Sequence, residues 1–230
     1  MTSKTFRRLI PTPVKRTTKQ AFLDYKFRRA MRKICRLAEG ELPARELLNE
    51  LQVGWGNQGF AATCDYLYEV MKLATATGGP ILECGSGLTT ILIGSVAGRR
   101  GIRTYSLEHI PEWRKRVNDA LVRYKIPNVE VLFSPLRDYG AFTWYEPPLA
   151  HLPDKFSLVI CDGPPGTTQG GRFGLLPTLG QRLPAGSLIL FDDADRPGEA
   201  AVLQRWSADW NVRVALSENI TKAFATVARY

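Results

Sequence analysis

Apolar residues fall into two alternating kinds of run along this chain. Short, nearly continuous runs predict strands near 80–84, 102–107, 129–133, 156–161 and 187–191. Between them, apolar positions recur every three or four residues, which predicts helices near 88–98, 111–124, 174–183 and 197–208. Such alternation demands a parallel sheet with right-handed crossovers and helices on both faces. Two last strands, 212–216 and 223–228, are separated only by Ser217–Lys222, so they are expected to form an antiparallel hairpin. Upstream, helical spacing is expected at 43–51 and 60–75, with the glycine-rich stretch Gly54–Gly59 as a loop between them. The expected fold class is α/β: a doubly wound, mostly parallel seven-stranded sheet with a helical N-terminal extension.

That extension changes the meaning of the net charge. Phe22, Leu23, Lys26, Phe27, Ala30, Met31, Ile34 and Leu37 repeat at helical spacing and predict an amphipathic helix over 20–38. Residues 1–36 hold twelve Lys or Arg against one acid, Asp24, whereas the rest of the chain is close to neutral. The organisation expected is a basic arm and amphipathic helix over 1–40, followed by the main domain over 41–230. The helix either covers the domain with its apolar stripe, or contacts an acidic polymer or membrane surface, or binds nucleic acid. Residues 1–19, with Pro11 and Pro13, are expected to be a flexible lead-in.

The remaining composition is that of an ordinary soluble protein, with 44% hydrophobic and 23% charged residues. No apolar run is long enough to span a bilayer, and no signal peptide is expected. The four cysteines (Cys35, Cys64, Cys84 and Cys161) have no C-x-x-C spacing, and a reducing cytoplasm is expected.

The candidate chemistry starts at Glu83-Cys84-Gly85-Ser86-Gly87, where a strand ends in an acid, turns on glycines and enters a helix. Twenty-one residues after Gly87, a second strand ends in Glu108. An acid at that distance is how a doubly wound domain holds an adenosine ribose. A dinucleotide site would have a third glycine, but Thr90 stands there. Glu83 would repel a pyrophosphate and suits a cation. On these residues the chain resembles the class I S-adenosylmethionine (SAM)-dependent methyltransferases, with their Rossmann-like fold. The resemblance implies that Glu83 faces the amino-acid end of SAM, that Gly85, Ser86 and Gly87 approach it with backbone, and that Glu108 holds the ribose. It also implies that His109 and Leu136 border the adenine. The competing reading is a strand–turn–helix corner without a ligand.

Three more acids end strands: Asp162 after the fourth, Asp192 and Asp193 after the fifth. Neighbouring strands lie about 4.8 Å apart, so these acids can share a site whose mutual repulsion a cation would relieve. The pattern is similar to metal-dependent O-methyltransferases such as the catechol and caffeoyl-CoA enzymes. That similarity implies Asp162, Asp192 and Asp193 as ligands of Mg²⁺ or Mn²⁺. Those enzymes have a catalytic lysine where Pro165 stands, so their lysine-based deprotonation does not carry over. The Asp162-Gly163-Pro164 run looks similar, more loosely, to glucuronoxylan and bacterial sugar O-methyltransferases. Alternatively, Asp193 and Asp195 only cap the next helix.

Asp162-Gly163-Pro164-Pro165-Gly166 lacks the aromatic that base-methylating enzymes stack on a flipped base, which disfavours that substrate. Arg172, in a glycine-rich loop, is expected either to pair with an acidic substrate or to be a solvated charge. Trp144 and Tyr145 are expected to wall a substrate pocket or to fill core. Asn57 and Gln58 are further candidates for cofactor or substrate contact. The function expected is methyl transfer from SAM to a hydroxyl oxygen of a small molecule, sugar or glycan, with Asp162 in contact with SAM and acting as base. The alternatives are a SAM-fold binding module, or an RNA or protein methyltransferase, recruited by a polyanion or membrane-surface contact through residues 1–36.

Overall fold

The computed structural model describes residues 12–57, 62–217 and 222–230, with side chains from residue 20 onward. Helices α1 (Thr12–Ile34), α2 (Arg45–Trp55) and α3 (Cys64–Ala76) precede the first strand. Then come β1 (Ile81–Cys84), α4 (Leu88–Val96), β2 (Thr104–Glu108), α5 (Pro111–Tyr124) and β3 (Val129–Phe133). A two-stranded antiparallel ribbon follows, β4 (Leu136–Asp138) with β5 (Thr143–Tyr145). The chain returns through β6 (Leu158–Cys161), α6 (Leu175–Leu179), β7 (Leu188–Phe191) and α7 (Pro197–Asp209), and ends in β8 (Val212–Leu216) and β9 (Ala225–Arg229).

The main sheet has seven strands in the order β3-β2-β1-β6-β7-β9-β8, parallel except for β9, which is antiparallel to both its neighbours. The expected sheet and terminal hairpin are therefore present. The chain leaves β1 toward β2 on one side and later returns to β6 on the other, so the crevice between β1 and β6 is the topological switch point. Register fixes what meets there. Cys84 pairs with Leu107 on one side and Cys161 on the other, and Cys161 pairs with Phe191. The residues next along, Glu108 as the last of β2 and Asp162 and Asp192 just past their strands, therefore stand at one edge of the sheet.

Alternation along the strands divides the core. Ile81, Leu158 and Ile160 point into a cluster beneath α1 to α5, while Leu82, Val159 and Cys161 point into one beneath α6 and α7. Every residue of β1 and β6 is buried, which is why these strands read as continuous apolar runs.

Several boundaries differ from expectation. Helix α1 begins at Thr12, well inside the stretch expected to be a flexible lead-in, and ends at Ile34. Pro13 does not prevent this, because first-turn amides have no helical partner to lose. Helix α2 runs through the expected glycine loop as far as Trp55 and stops at Gly56, which takes a left-handed conformation (φ 74°). Helix α3 starts at Cys64, where Thr63 caps it by accepting from the Tyr66 amide. The β4–β5 ribbon was not expected, since three-residue strands leave no readable period. Residues 1–11, 58–61 (Gln58 among them) and 218–221 lie outside the described residues. Phe27, Ala30, Met31 and Ile34 of α1 are buried in one cluster with Leu48 and Leu51 of α2. The charge boundary near residue 40 thus does not separate two cores.

Candidate cofactor and active site

The glycine loop after β1 is held from four sides. Gly85 takes a left-handed conformation (φ 87°) that favours glycine, and its amide donates to the Leu107 carbonyl at 3.0 Å. The Ser86 amide and hydroxyl both donate to Glu108 Oε2, at 3.1 and 2.7 Å. The Ser86 carbonyl accepts from the Trp113 indole N–H at 2.6 Å. The Gly87 amide donates to Thr90 Oγ1 at 2.8 Å. Beneath the loop, Glu83 is fully buried, and its two oxygens accept from Thr89 Oγ1 at 2.5 Å and Thr90 Oγ1 at 2.6 Å. Burial raises its pKa to about 7 despite those hydroxyls. Glu83 therefore holds the first turn of α4 directly beneath the loop.

Glu108 has the opposite character. Burial disfavours its charge, but the adjacent His109 and hydrogen bonds from Ser86 and the Ile110 amide outweigh that and hold its carboxyl below the usual range. His109 Nδ1 lies 3.3 Å from Glu108 Oε1, and its ring meets that of Tyr145 edge-on at 5.9 Å. Leu136, half-buried at the start of β4, pairs with Tyr145.

Across the switch point the three aspartates converge as expected: Asp162, Asp192 and Asp193 can each bring an oxygen within 4.8 Å of the others. They are not left to an ion, however. Arg172 is 2% exposed, and one of its guanidinium nitrogens donates to Asp162 Oδ1 at 3.0 Å and Asp193 Oδ2 at 2.8 Å. Its other terminal nitrogen donates to the Asp192 carbonyl. Lys222 pairs with Asp192 Oδ2 at 3.4 Å and more closely with Asp193 Oδ1. Arg196 closes the outer side, 2.9 Å from Asp193 Oδ2. Divalent-metal ligation would set the ion against two fixed positive charges, so these residues do not fit the expected metal site.

This arrangement also corrects two other expectations. Arg172 is neither a solvated loop charge nor free to pair with an acidic substrate, because the aspartates already hold it. Asp193 is not a helix cap: α7 starts after Arg196 with no side-chain cap. Asp193 instead takes a left-handed conformation (φ 59°), tolerable for Asp, and faces Arg172, Arg196 and Lys222. Burial pushes its pKa up, but Lys222 and Arg172 outweigh that and hold it below normal. For Asp162, burial and the neighbouring Asp192 prevail over Arg172 and raise its pKa well above the carboxylate range.

Asp162 is followed by a close approach. A Cβ on Gly163 would fall 2.3 Å from the Tyr145 hydroxyl and 3.1 Å from Gly85 Cα, so only glycine lets the end of β6 meet the cofactor loop. Tyr145 is buried at this junction, with its pKa raised well above normal by burial and then by Cys84 and Glu108. Trp144 is fully buried, and its ring packs against Gly174 and Tyr145. It fills core and does not wall a pocket.

No protein-family model matches the chain, and no curated protein matches it significantly in sequence. Solved structures do match. An O-methyltransferase from Bacillus cereus in complex with SAH superposes with a TM-score of 0.59 at 12% identity, over 81% of this chain and 90% of that one. The SAM complex of TomG, a Streptomyces achromogenes O-methyltransferase involved in tomaymycin synthesis, gives 0.58 at 12% identity, over 82% and 91%. SAH-bound PaMTH1, a Podospora anserina methyltransferase, gives 0.55 at 15%, over 96% and 98%. The fold is that of the class I SAM-dependent methyltransferases.

The glycine loop leaves room beside it. A Cβ on Gly87 would meet nothing within 4 Å, so open space adjoins the loop, and Glu108 offers an ionised carboxylate next to it. Sequence reasoning missed Trp113, Thr89 and Lys222. Thr89 follows the loop directly and could have been paired with the buried acid Glu83. Trp113 and Lys222 are single residues far along the chain from their partners, with no spacing that signals them.

Proposed function

We propose that this chain transfers a methyl group from SAM to a hydroxyl oxygen of a small molecule, sugar or glycan, using Asp162 as base and no divalent metal. The observation that carries the reading is the shared sheet edge. β1 ends between β2 and β6, so Glu108 stands on one side of the Gly85–Gly87 loop and Asp162 on the other. Bound SAM would supply the methyl group that the acceptor oxygen attacks in line, the O–C bond forming as the C–S bond breaks and SAH leaves as a neutral thioether. Glu108 and the loop amides would orient the cofactor. Asp162 would accept the proton of the acceptor hydroxyl at the oxygen Arg172 does not engage, Oδ2, since Arg172 binds Oδ1. Its raised pKa makes it a stronger base than an exposed aspartate. Arg172 would hold the carboxylate in one orientation and balance its charge, the part expected of an ion in metal-dependent relatives.

Calorimetry with SAM, SAH and NAD tests the cofactor, and incorporation of labelled methyl from SAM into hydroxyl acceptors tests the chemistry. SAM and SAH binding with no response to NAD is expected. Binding of NAD in preference to SAM would end this reading, whatever the acceptor.

A further inference from the structure

The outward face of α1 has no role in the site, and its composition points to a partner. Phe22, Tyr25, Arg29, Arg32 and Lys33 recur at steps of three and four and therefore share one side of the helix, with Arg36 just past its end. The four basic residues are exposed, and Phe22 and Tyr25 are 56% and 57% exposed. The opposite side, Phe27, Ala30, Met31 and Ile34, is buried in the core. The outward face is thus fixed by packing and cannot turn inward to hide the aromatics. No acid lies on it: Asp24 sits off this line and accepts from Gln20 at 3.1 Å. Beyond this line, exposed Arg28 and Arg123 lie near Tyr124 at the end of α5, with Asp24 as the acid beside them. Val122, beside them, is 79% exposed.

We infer that this face docks the protein on an anionic lipid surface. A rigid, convex helix with a basic outward face meets a planar surface along its length without a complementary groove. Two fixed aromatic rings among the charges suit the interfacial region of a bilayer, where an aromatic is buried while cations stay at the headgroups. A basic helix also fits a nucleic-acid groove, but the two exposed aromatics on this face gain burial only in the bilayer interface. Among the described residues no helix is long and apolar enough to cross a membrane. The inference concerns where the protein acts and does not depend on the methyl acceptor.

The test is flotation of the full-length chain with vesicles of phosphatidylcholine alone, or with one third phosphatidylglycerol, over a salt series. Binding only to the anionic vesicles, weakening as salt rises, is expected. The variant R29Q/R32Q/K33Q/R36Q, all at exposed positions, should bind several-hundredfold more weakly, on the basis of about fivefold per charge. F22A/Y25A should keep the salt dependence but bind about tenfold more weakly, because the aromatics contribute by insertion. Thermal melting of both variants separates loss of binding from loss of fold. Equal binding to neutral vesicles, or unchanged binding by the folded quadruple variant, would overturn the proposal. Displacement from vesicles by RNA at lower concentration than by soluble lipid headgroup, with F22A/Y25A binding RNA as well as wild type, would overturn it in favour of nucleic acid.

Discussion

Arg172 reaches 3.0 Å from Asp162 across the end of the sheet, although the two stand ten positions apart across a glycine-rich loop. The contact fastens that loop to the strand ends, and it does so with a charge. The cluster Asp162–Asp192–Asp193 therefore already contains its counter-cations in Arg172 and Lys222.

Methyl transfer should accordingly survive exhaustive chelation, and titration with Mn²⁺ should show no binding at this cluster. Arg172→Lys keeps the positive charge but loses the fork that spans two carboxylates and a carbonyl. We expect kcat to fall roughly tenfold to a hundredfold through misplacement of Asp162, while SAM affinity changes by less than about threefold, on the order of one weak hydrogen bond. Activity that disappears in chelator and returns with Mg²⁺ would contradict the internal-cation account.

Glu108→Ala removes the carboxylate proposed to hold the ribose and leaves the Ser86 amide and hydroxyl without their acceptor. The expected loss of SAM affinity is about 1–3 kcal/mol, that of a hydrogen bond to a charged group. Calorimetry reads it directly, and an unchanged affinity would place the ribose elsewhere.

Trp113 is a subtler probe, because its indole holds the carbonyl of Ser86 while its ring packs edge-on against Trp55 at 5.9 Å. Trp113→Phe keeps most of the packing and deletes the donor. SAM binding should weaken by roughly 0.5–1.5 kcal/mol, the worth of one neutral hydrogen bond, with a melting temperature within a few degrees of wild type.

These contacts show what a sequence can and cannot disclose. The strands, their order of alternation and the acids at their ends were readable, because buried parallel strands are continuous apolar runs and polar residues at their ends stand out. Convergence of the three aspartates followed from neighbouring strands alone. What neutralises them did not, since Arg172 sits among glycines that look like solvated loop and Lys222 lies 30 residues beyond Asp192. Glu83 was readable as a functional acid but not as a buried one: its orientation depends on which face of β1 meets Thr89 and Thr90. Trp144 was legible as an aromatic but not as fully buried core, because the short ribbon that places it has no period to read.

Glu83 predicts a dependence of stability on pH. Its pKa rises from 4.5 unfolded to about 7 folded, so the folded state keeps the proton over a range where the unfolded state has lost it. This contribution is fully present below about pH 4.5 and is lost as pH rises through 7. Its size is on the order of 3 kcal/mol, from the shift between those values. Glu83→Gln mimics the protonated form and should remove that slope from a urea-denaturation series between pH 5 and 8. An identical slope in wild type and variant would show that Glu83 does not titrate in this range.

Asp162 offers the sharpest test of the chemistry, because removal of its charge should damage catalysis without damaging the fold. In Asp162→Asn, Arg172 keeps its contacts to Asp193 and to the Asp192 carbonyl, and the repulsion between Asp162 and Asp192 disappears. Stability should stay level or rise by up to about 1 kcal/mol, as expected when a buried like-charge pair is relieved. Turnover should fall by 10²–10⁴-fold, the usual contribution of a positioned general base. Wild-type kcat should rise with pH up to a plateau above the raised Asp162 pKa, since only the carboxylate accepts a proton. The residual activity of Asp162→Asn should lack that rise, apart from ionisation of the acceptor itself. An acceptor series separates the two, since the midpoint stays fixed if Asp162 sets it and follows the acceptor's acidity if it does not. Loss of SAM binding in Asp162→Asn, with the fold intact, would instead make Asp162 a cofactor ligand and leave the base to be sought elsewhere along the same sheet edge.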